Sequence, residues 1–334
     1  MAIRQKSACF SAFFGTVFAI SMPLMANAQF AAGNPPYTPA PDAKDLKAVL
    51  FNWTWYLGML RGIDEHELIA TLEYQGNGTL QINNQACTLT KYRASINYQI
   101  PGQRIQYTCT LANGETVSNI EVVNWQYAWN EDISGAEIIA GEGKASPLPE
   151  AVQERLIRLW ASPQGAPKAA LAGTGEPDPN QLADNGLDSI GQTSVSWQAG
   201  KPVVSFPIPG VPGAIAAATL NAQFMAERIV VTQGSVSTEF TYSDYQDWNN
   251  PLNLVEVLYA GKMSERRNGV LIRNLNTVQT ETGSVYVVMP VPASVQRAIR
   301  PQVTAEPPPV VPSLVPAAAQ ANVPTPRLSD EKPD

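Results

Sequence analysis

Residues 86–111 read ACTLTKYRASINYQIPGQRIQYTCTL. Apolar and polar residues alternate on both sides of Pro101-Gly102, and the flanks are rich in Tyr, Ile and Thr. Alternation with a period of two is the mark of a strand with one buried face, and Pro-Gly is a turn dipeptide, so the stretch reads as a hairpin. The same grammar extends outward. From Leu68 onward, Asn77-Gly78 and Asn113-Gly114 are further turn signals between β-rich runs. The pattern resumes at Thr193–Trp197, Val203–Ile208, Phe224–Thr232, Ser235–Tyr245, Leu252–Lys262 and Gly269–Thr280. Consecutive hairpins are the simplest arrangement of such runs, and the expected fold is mainly β (α+β). It is a curved antiparallel sheet, or open half-barrel, with two or three covering helices.

Two helices are expected beside the strands. Asp42 is read as an N-cap, and from there to Arg61 the residues Leu46, Val49, Leu50, Trp53, Leu57 and Leu60 recur at helical spacing, with Gly62 as the stop. The second is signalled by Ser146-Pro147-Leu148-Pro149-Glu150, continues through Val152, Leu156, Ile157, Leu159 and Trp160, and ends at Pro163. Residues 172–192, crowded with Gly, Pro, Asp and Asn, read as a surface loop. One β-rich domain over 42–300 is expected, with that loop as the join should the domain divide into two halves. No internal repeat of fixed period is visible.

The two ends carry compartment signals. Arg4 and Lys6 precede an apolar stretch from about Cys9 to Met25 and the small-residue triplet Ala26-Asn27-Ala28, which reads as a signal peptide (1–28) cleaved at Ala28-Gln29. A membrane anchor is the competing reading, but Gly15, Ser21 and Pro23 interrupt the run. A periplasmic or secreted location follows, with a disordered leader over 29–41 and a disordered Pro-rich tail over 301–334. No later segment supplies the roughly 20 apolar residues of a spanning helix. The formal net charge of -7 becomes -9 without Arg4 and Lys6, so nucleic acid is not an expected partner.

Beyond the signal only Cys87 and Cys109 remain. In an oxidising compartment such a pair is expected to form a disulfide, with two buried thiols as the alternative. A simple hairpin turning at Pro101-Gly102 does not place them opposite each other. The bond therefore needs a third strand or a different register.

Candidate chemistry is sparse. His66 is the only histidine and stands in Asp64-Glu65-His66-Glu67, so a zinc site and a Ser-His-Asp triad both lack their parts. Asp244 and Asp247 read as a polar strand end, and Asp184-Asn185-Gly186-Leu187-Asp188 fails the EF-hand template. Gly173-Thr174-Gly175 has no lysine partner and runs into Pro177, so it is read as loop. Trp53, Trp55 and Tyr56 on the first helix, with Trp160 on the second, form a large aromatic surface. Core packing is its plain reading, and an apolar cleft between helix and sheet its sharper one.

Four stretches look familiar together: Ser95-Ile96-Asn97-Tyr98, Tyr127-Ala128-Trp129-Asn130, Glu154-Arg155-Leu156-Ile157-Arg158-Leu159-Trp160 leading into Ser162-Pro163-Gln164-Gly165, and Thr241-Tyr242-Ser243-Asp244-Tyr245. Over about Asp42 to Thr280 the chain resembles the amino-terminal, non-catalytic region of exported bacterial hydrolases of the metallo-β-lactamase fold. The hydrolase module and its H-x-H-x-D-H motif are missing here. The resemblance implies no catalytic residue, and its architecture is similar to the half-barrel of periplasmic lipoprotein carriers.

The resulting expectation is a non-enzymatic periplasmic binding or accessory protein without a cofactor, holding a lipid or other apolar small molecule between helix and sheet. The competing class is a structural or interaction protein whose partner is an envelope complex or a separately encoded hydrolase. An enzyme resting on carboxylates, tyrosines or the one histidine comes third.

Overall fold

The structure is a computed structural model that describes residues 40, 42–60, 69–176, 179–182, 186–248 and 257–299. The expected signal peptide, most of the leader, His66, Gly62, Asp184, Asn185 and the tail lie outside the described residues.

Among the described residues fourteen strands form one antiparallel, curved and unclosed sheet. The first six are β1 Thr71–Ile82, β2 Gln85–Asn97, β3 Gly102–Leu111, β4 Thr116–Asn124, β5 Tyr127–Glu131 and β6 Ala145–Pro147. They meander outward to one edge. The chain then passes through helices α2 Val152–Trp160 and α3 Gly165–Thr174 to the opposite edge. From there β7 Ser189–Ile190, β8 Thr193–Gln198, β9 Lys201–Pro207, β10 Ala214–Leu220, β11 Ala226–Gln233, β12 Val236–Asp247, β13 Leu258–Arg267 and β14 Val270–Thr282 meander back. β14 pairs with β1, so the two halves of the chain are flanks of a single sheet. Helix α1 Leu46–Tyr56 packs near α3 and β8, and a short α4 Ala293–Ile299 lies against β5 and β6.

Alternation decides which face each side chain joins. Tyr74, Tyr92, Ile105, Phe240, Tyr242, Met263 and Leu275 fall on the face that α1, α2 and α3 cover, and they join one large core. Val123 belongs to that core, while its neighbour Val122 points the other way. There it meets Trp129, Ala145, Met289 and Val295 in a second, smaller core under α4. Each large side chain buried in this way contributes roughly 1.5–3 kcal/mol.

Several expectations need correction. The first helix is capped by Asp45, whose side chain accepts from Ala48 N at 3.1 Å, and not by Asp42. It ends at Tyr56 because Gly58 turns left-handed at φ 80. Asn77-Gly78 is no turn but the middle of β1. Gly78, at φ 135, sits where a Cβ would run into the carbonyl oxygen of Asn274 on β14, and the register with β2 slips between Gln75 and Thr79. The turn falls at Asn83-Asn84, both with positive φ (51 and 64), the backbone of a two-residue hairpin loop. Ser146 lies in β6 rather than capping a helix, and a single 3-10 turn over Pro149–Ala151 opens α2. The loop expected over 172–192 is shortened at both ends by α3 and β7.

The cysteines are bonded, with a Cα separation of 5.4 Å. A bulge at Thr90 shifts the β2–β3 register, so that Leu89 faces Cys109 and Cys87 faces Leu111. In an unbulged hairpin the two thiols fall on opposite faces. The extra residue reverses that parity and sets them diagonally on one face. A loop of this length stabilises the fold by roughly 3 kcal/mol.

Candidate functional site

Helix α2 is the point on which distant parts of the sequence converge. From Arg155 to Trp160 its six successive residues are buried, although two of them are arginines. Burying a guanidinium is costly unless every donor finds an acceptor, and the sheet supplies them. Arg155 donates to Val122 O at 2.8 Å, Trp129 O at 2.7 Å and Asn130 Oδ1 at 2.6 Å. Arg158 donates to Glu265 on β13 at 3.1 Å, to Glu154 one turn back at 2.9 Å, and to Glu121 on β4 at 3.4 Å.

The network continues on both sides. Arg273 Nε lies 2.7 Å from Glu265 Oε2, and its Nη1 donates to Tyr92 Oη at 3.1 Å. Tyr92 and Tyr74 share a hydroxyl contact of 3.3 Å. At the outer end Arg267 pairs with Glu154 at 2.9 Å. Arg158, Arg267 and Arg273 thus meet Glu121, Glu154 and Glu265, while the fourth arginine, Arg155, rests on neutral oxygens alone. Burial works against ionised Glu265, but Arg158 and Arg273 outweigh it and hold the carboxyl at about 2. Burial likewise opposes the Arg158 charge, and Glu265, Glu121 and Glu154 raise its pKa well above the usual value. Tyr74, Tyr242 and Tyr259 are pushed upward, first of all by burial.

The turn after α2 is clamped as well. Tyr98 Oη meets Ser162 Oγ at 2.8 Å, and Tyr242 Oη donates to Ala161 O at 2.6 Å. The stretches containing Tyr98, Asn130 and Tyr242, separated along the chain, therefore form one seat for the Arg155 stretch on α2. Beside it a void of about 30 Å³ is lined by Tyr74, Arg158, Tyr242, Tyr259, Glu265 and Arg273 among others. That is room for about two waters.

The aromatic residues of the expected cleft are divided by the structure. Trp53 is fully buried, 6.3 Å from the Phe206 ring, and Trp160 is nearly so, 6.4 Å from Tyr98. Trp55 stacks on Phe51 at 5.7 Å, and Tyr56 is exposed and stacks on Phe224 at 6.3 Å. None of the four lines the void beside α2. Trp53 Nε1 and Trp160 Nε1 are buried without a hydrogen-bond partner among the described residues. Sequence reasoning missed Glu265 and Arg273, which look like ordinary polar strand positions. Parity was the available signal, since Glu265 stands two residues from Met263 and Arg273 two from Leu275.

The other candidate groups are occupied locally. Asp244 pairs with Lys262 at 2.7 Å, while Asp247 accepts from Val257 N at 3.1 Å. Thr174 closes α3 by donating to Leu171 O at 2.6 Å. Among the described residues no group of three His, Cys, Asp or Glu side chains stands ready to hold a metal, and no helix is long and apolar enough to cross a membrane.

No family model and no curated protein matches the sequence. A solved LolA superfamily protein from Nitrosomonas europaea is similar over 71% of this chain and 94% of its own, at 8% identity and a TM-score of 0.33. The likeness is slight.

Proposed function

We propose that this chain is a non-enzymatic binding or accessory protein of a bacterial envelope, which takes an apolar molecule bearing a hydrogen-bond acceptor into the seam between helices and sheet. The observation that carries this reading is the pair of buried indole donors, Trp53 Nε1 and Trp160 Nε1, left without partners among the described residues. A buried indole N–H ordinarily finds an acceptor, and leaving one unpaired costs about 1–3 kcal/mol. An ester or amide oxygen on an otherwise apolar ligand would relieve that cost.

The electrostatics support a non-catalytic role. Acid–base catalysis near neutral pH needs a group whose pKa lies near the working pH. Glu265, Tyr74 and Tyr242 are driven away from that range, the carboxyl held at about 2 and the two phenols raised by burial. The resemblance of four short sequence stretches to a non-catalytic region of exported hydrolases agrees with this. Because the void beside α2 is only about 30 Å³, a ligand of lipid size enters by parting the helix layer from the sheet.

Native mass spectrometry of protein purified from an envelope fraction, followed by organic extraction, tests the reading. The expected result is a stoichiometric apolar molecule whose retention falls in Trp53→Phe and Trp160→Phe. A clean apo mass from every preparation overturns the ligand and moves the reading to an interaction protein. Ester or lactam hydrolysis abolished by one point substitution overturns the non-enzymatic role.

A further inference from the structure

At one end of the sheet the β2–β3 turn, the β4–β5 turn and the strap that follows β14 form a continuous rim. Trp125 N donates to Pro101 O at 2.8 Å, which ties the two turns together. Asn97 Nδ2 donates to Val287 O at 2.9 Å and Asn124 Nδ2 to Met289 O at 2.7 Å, which lays the strap beside both. Val287 and Met289 are buried in the second core, while Val285, Tyr286 and Val288 beside them are exposed. Tyr286 is 87% exposed, Val285 79%, Trp125 49%, Val288 48% and Ile100 43%. Trp125 also holds φ 52, a left-handed conformation that a bulky side chain rarely adopts. Its exposure leaves core packing no part in that cost.

Charge sets this rim apart. Residues 94–103, 122–130 and 282–296 contain no Asp, Glu, Lys or Arg, whereas the chain's 15% charge content would place about five there. The chain as a whole is acidic, at -7. An anionic surface repels such a body, and a basic partner finds no countercharge on the rim. Protruding turn tips that carry Trp, Tyr, Val and Ile without charge suit the boundary of a zwitterionic bilayer, where aromatic side chains are favoured and charges penalised. A fluid surface also accepts separate tips, whereas a folded partner needs a matching pocket for each.

We infer that this rim, with Trp125 and Tyr286 at its tips, docks the protein peripherally on a zwitterionic lipid surface. The contact is apolar and does not depend on attraction between charges. It is independent of ligand binding in the helix–sheet seam.

The test uses protein purified from an envelope fraction, with its amino terminus confirmed at Gln29, and phosphatidylcholine–phosphatidylethanolamine vesicles in co-sedimentation. Partition should persist or tighten when salt is raised, and should weaken when phosphatidylglycerol replaces the zwitterionic lipids. Trp125→Ser with Tyr286→Ser should lower it at least tenfold with an unchanged melting curve, whereas Trp125→Phe should retain it. Brominated lipid should quench wild-type fluorescence and quench Trp125→Phe less. The inference is overturned if wild type does not partition, or if the double variant partitions equally. It is overturned too by a preference for anionic vesicles that salt abolishes. A concentration-dependent dimer lost in the double variant would assign the rim to a second copy of the chain instead.

Discussion

Glu265 illustrates how one carboxylate can hold a helix on a sheet. Only 2% of its side chain is exposed, and Arg158 and Arg273 approach it at 3.1 and 2.7 Å. Glu265→Gln keeps the shape but leaves two buried guanidinium groups sharing one fewer negative charge. Removing one member of a buried pair costs about 3–5 kcal/mol, and chemical denaturation at neutral pH should show a loss of that order. The pH dependence has a defined sign. The carboxyl ionises at about 2 in the folded chain against an ordinary 4.5, so its contribution is present above 4.5 and fades as the pH falls towards 2. Wild type should therefore lose roughly 3 kcal/mol across that window, and Glu265→Gln should lack this component of the acid transition. A variant as stable as wild type at neutral pH would show that the network contributes little. In the sequence these residues were legible as charged strand positions only. Burial of a charge depends on countercharges supplied from other strands, and local pattern does not record them.

Elements were legible in proportion to their apolar contrast. The six apolar residues expected on the first helix are all buried, although Leu57 and Leu60 fall past its end at Tyr56, and the strands rich in Tyr, Ile and Val stand close to where alternation put them. β10, with the sequence AIAAATL, and α3, with GAPKAALAGT, escaped notice because alanine marks neither period strongly. The Asn77-Gly78 pair misled because Asn-Gly serves a turn and a close strand approach equally well. Gly78→Ala should test the second role. Its new Cβ meets backbone on β14 at a φ of 135, so destabilisation of about 2 kcal/mol or more is expected from urea midpoints. Gly114, a turn residue with φ 85 and nothing within 4 Å of its would-be Cβ, should cost only about 1 kcal/mol as alanine. Equal losses at the two positions would remove the case for a steric role at Gly78.

At the scale of the whole molecule, the β1–β14 pairing makes one sheet of two flanks, with β1 and β14 in its middle and β6 and β7 at its edges. β6 has three residues and β7 only two, short edges that expose few unpaired backbone groups. Opening should begin there. Hydrogen exchange is expected to be slowest in β1, β2, β13 and β14 and fastest at β6 and β7, within a single cooperative melt. Two separate transitions divided near residue 190 would instead mean that the flanks fold independently. The sequence by itself determined the antiparallel β class and the first helix with its buried face, because periodicity and composition are local properties of the chain, and it left Cys87 and Cys109 open between a bond and two buried thiols. Tertiary structure alone decided the bulge that sets Cys87 beside Cys109, the union of the flanks through β1 and β14, the seat of α2 and the uncharged rim. Each of these depends on which distant strands become neighbours, and that follows from register and curvature summed over the whole sheet.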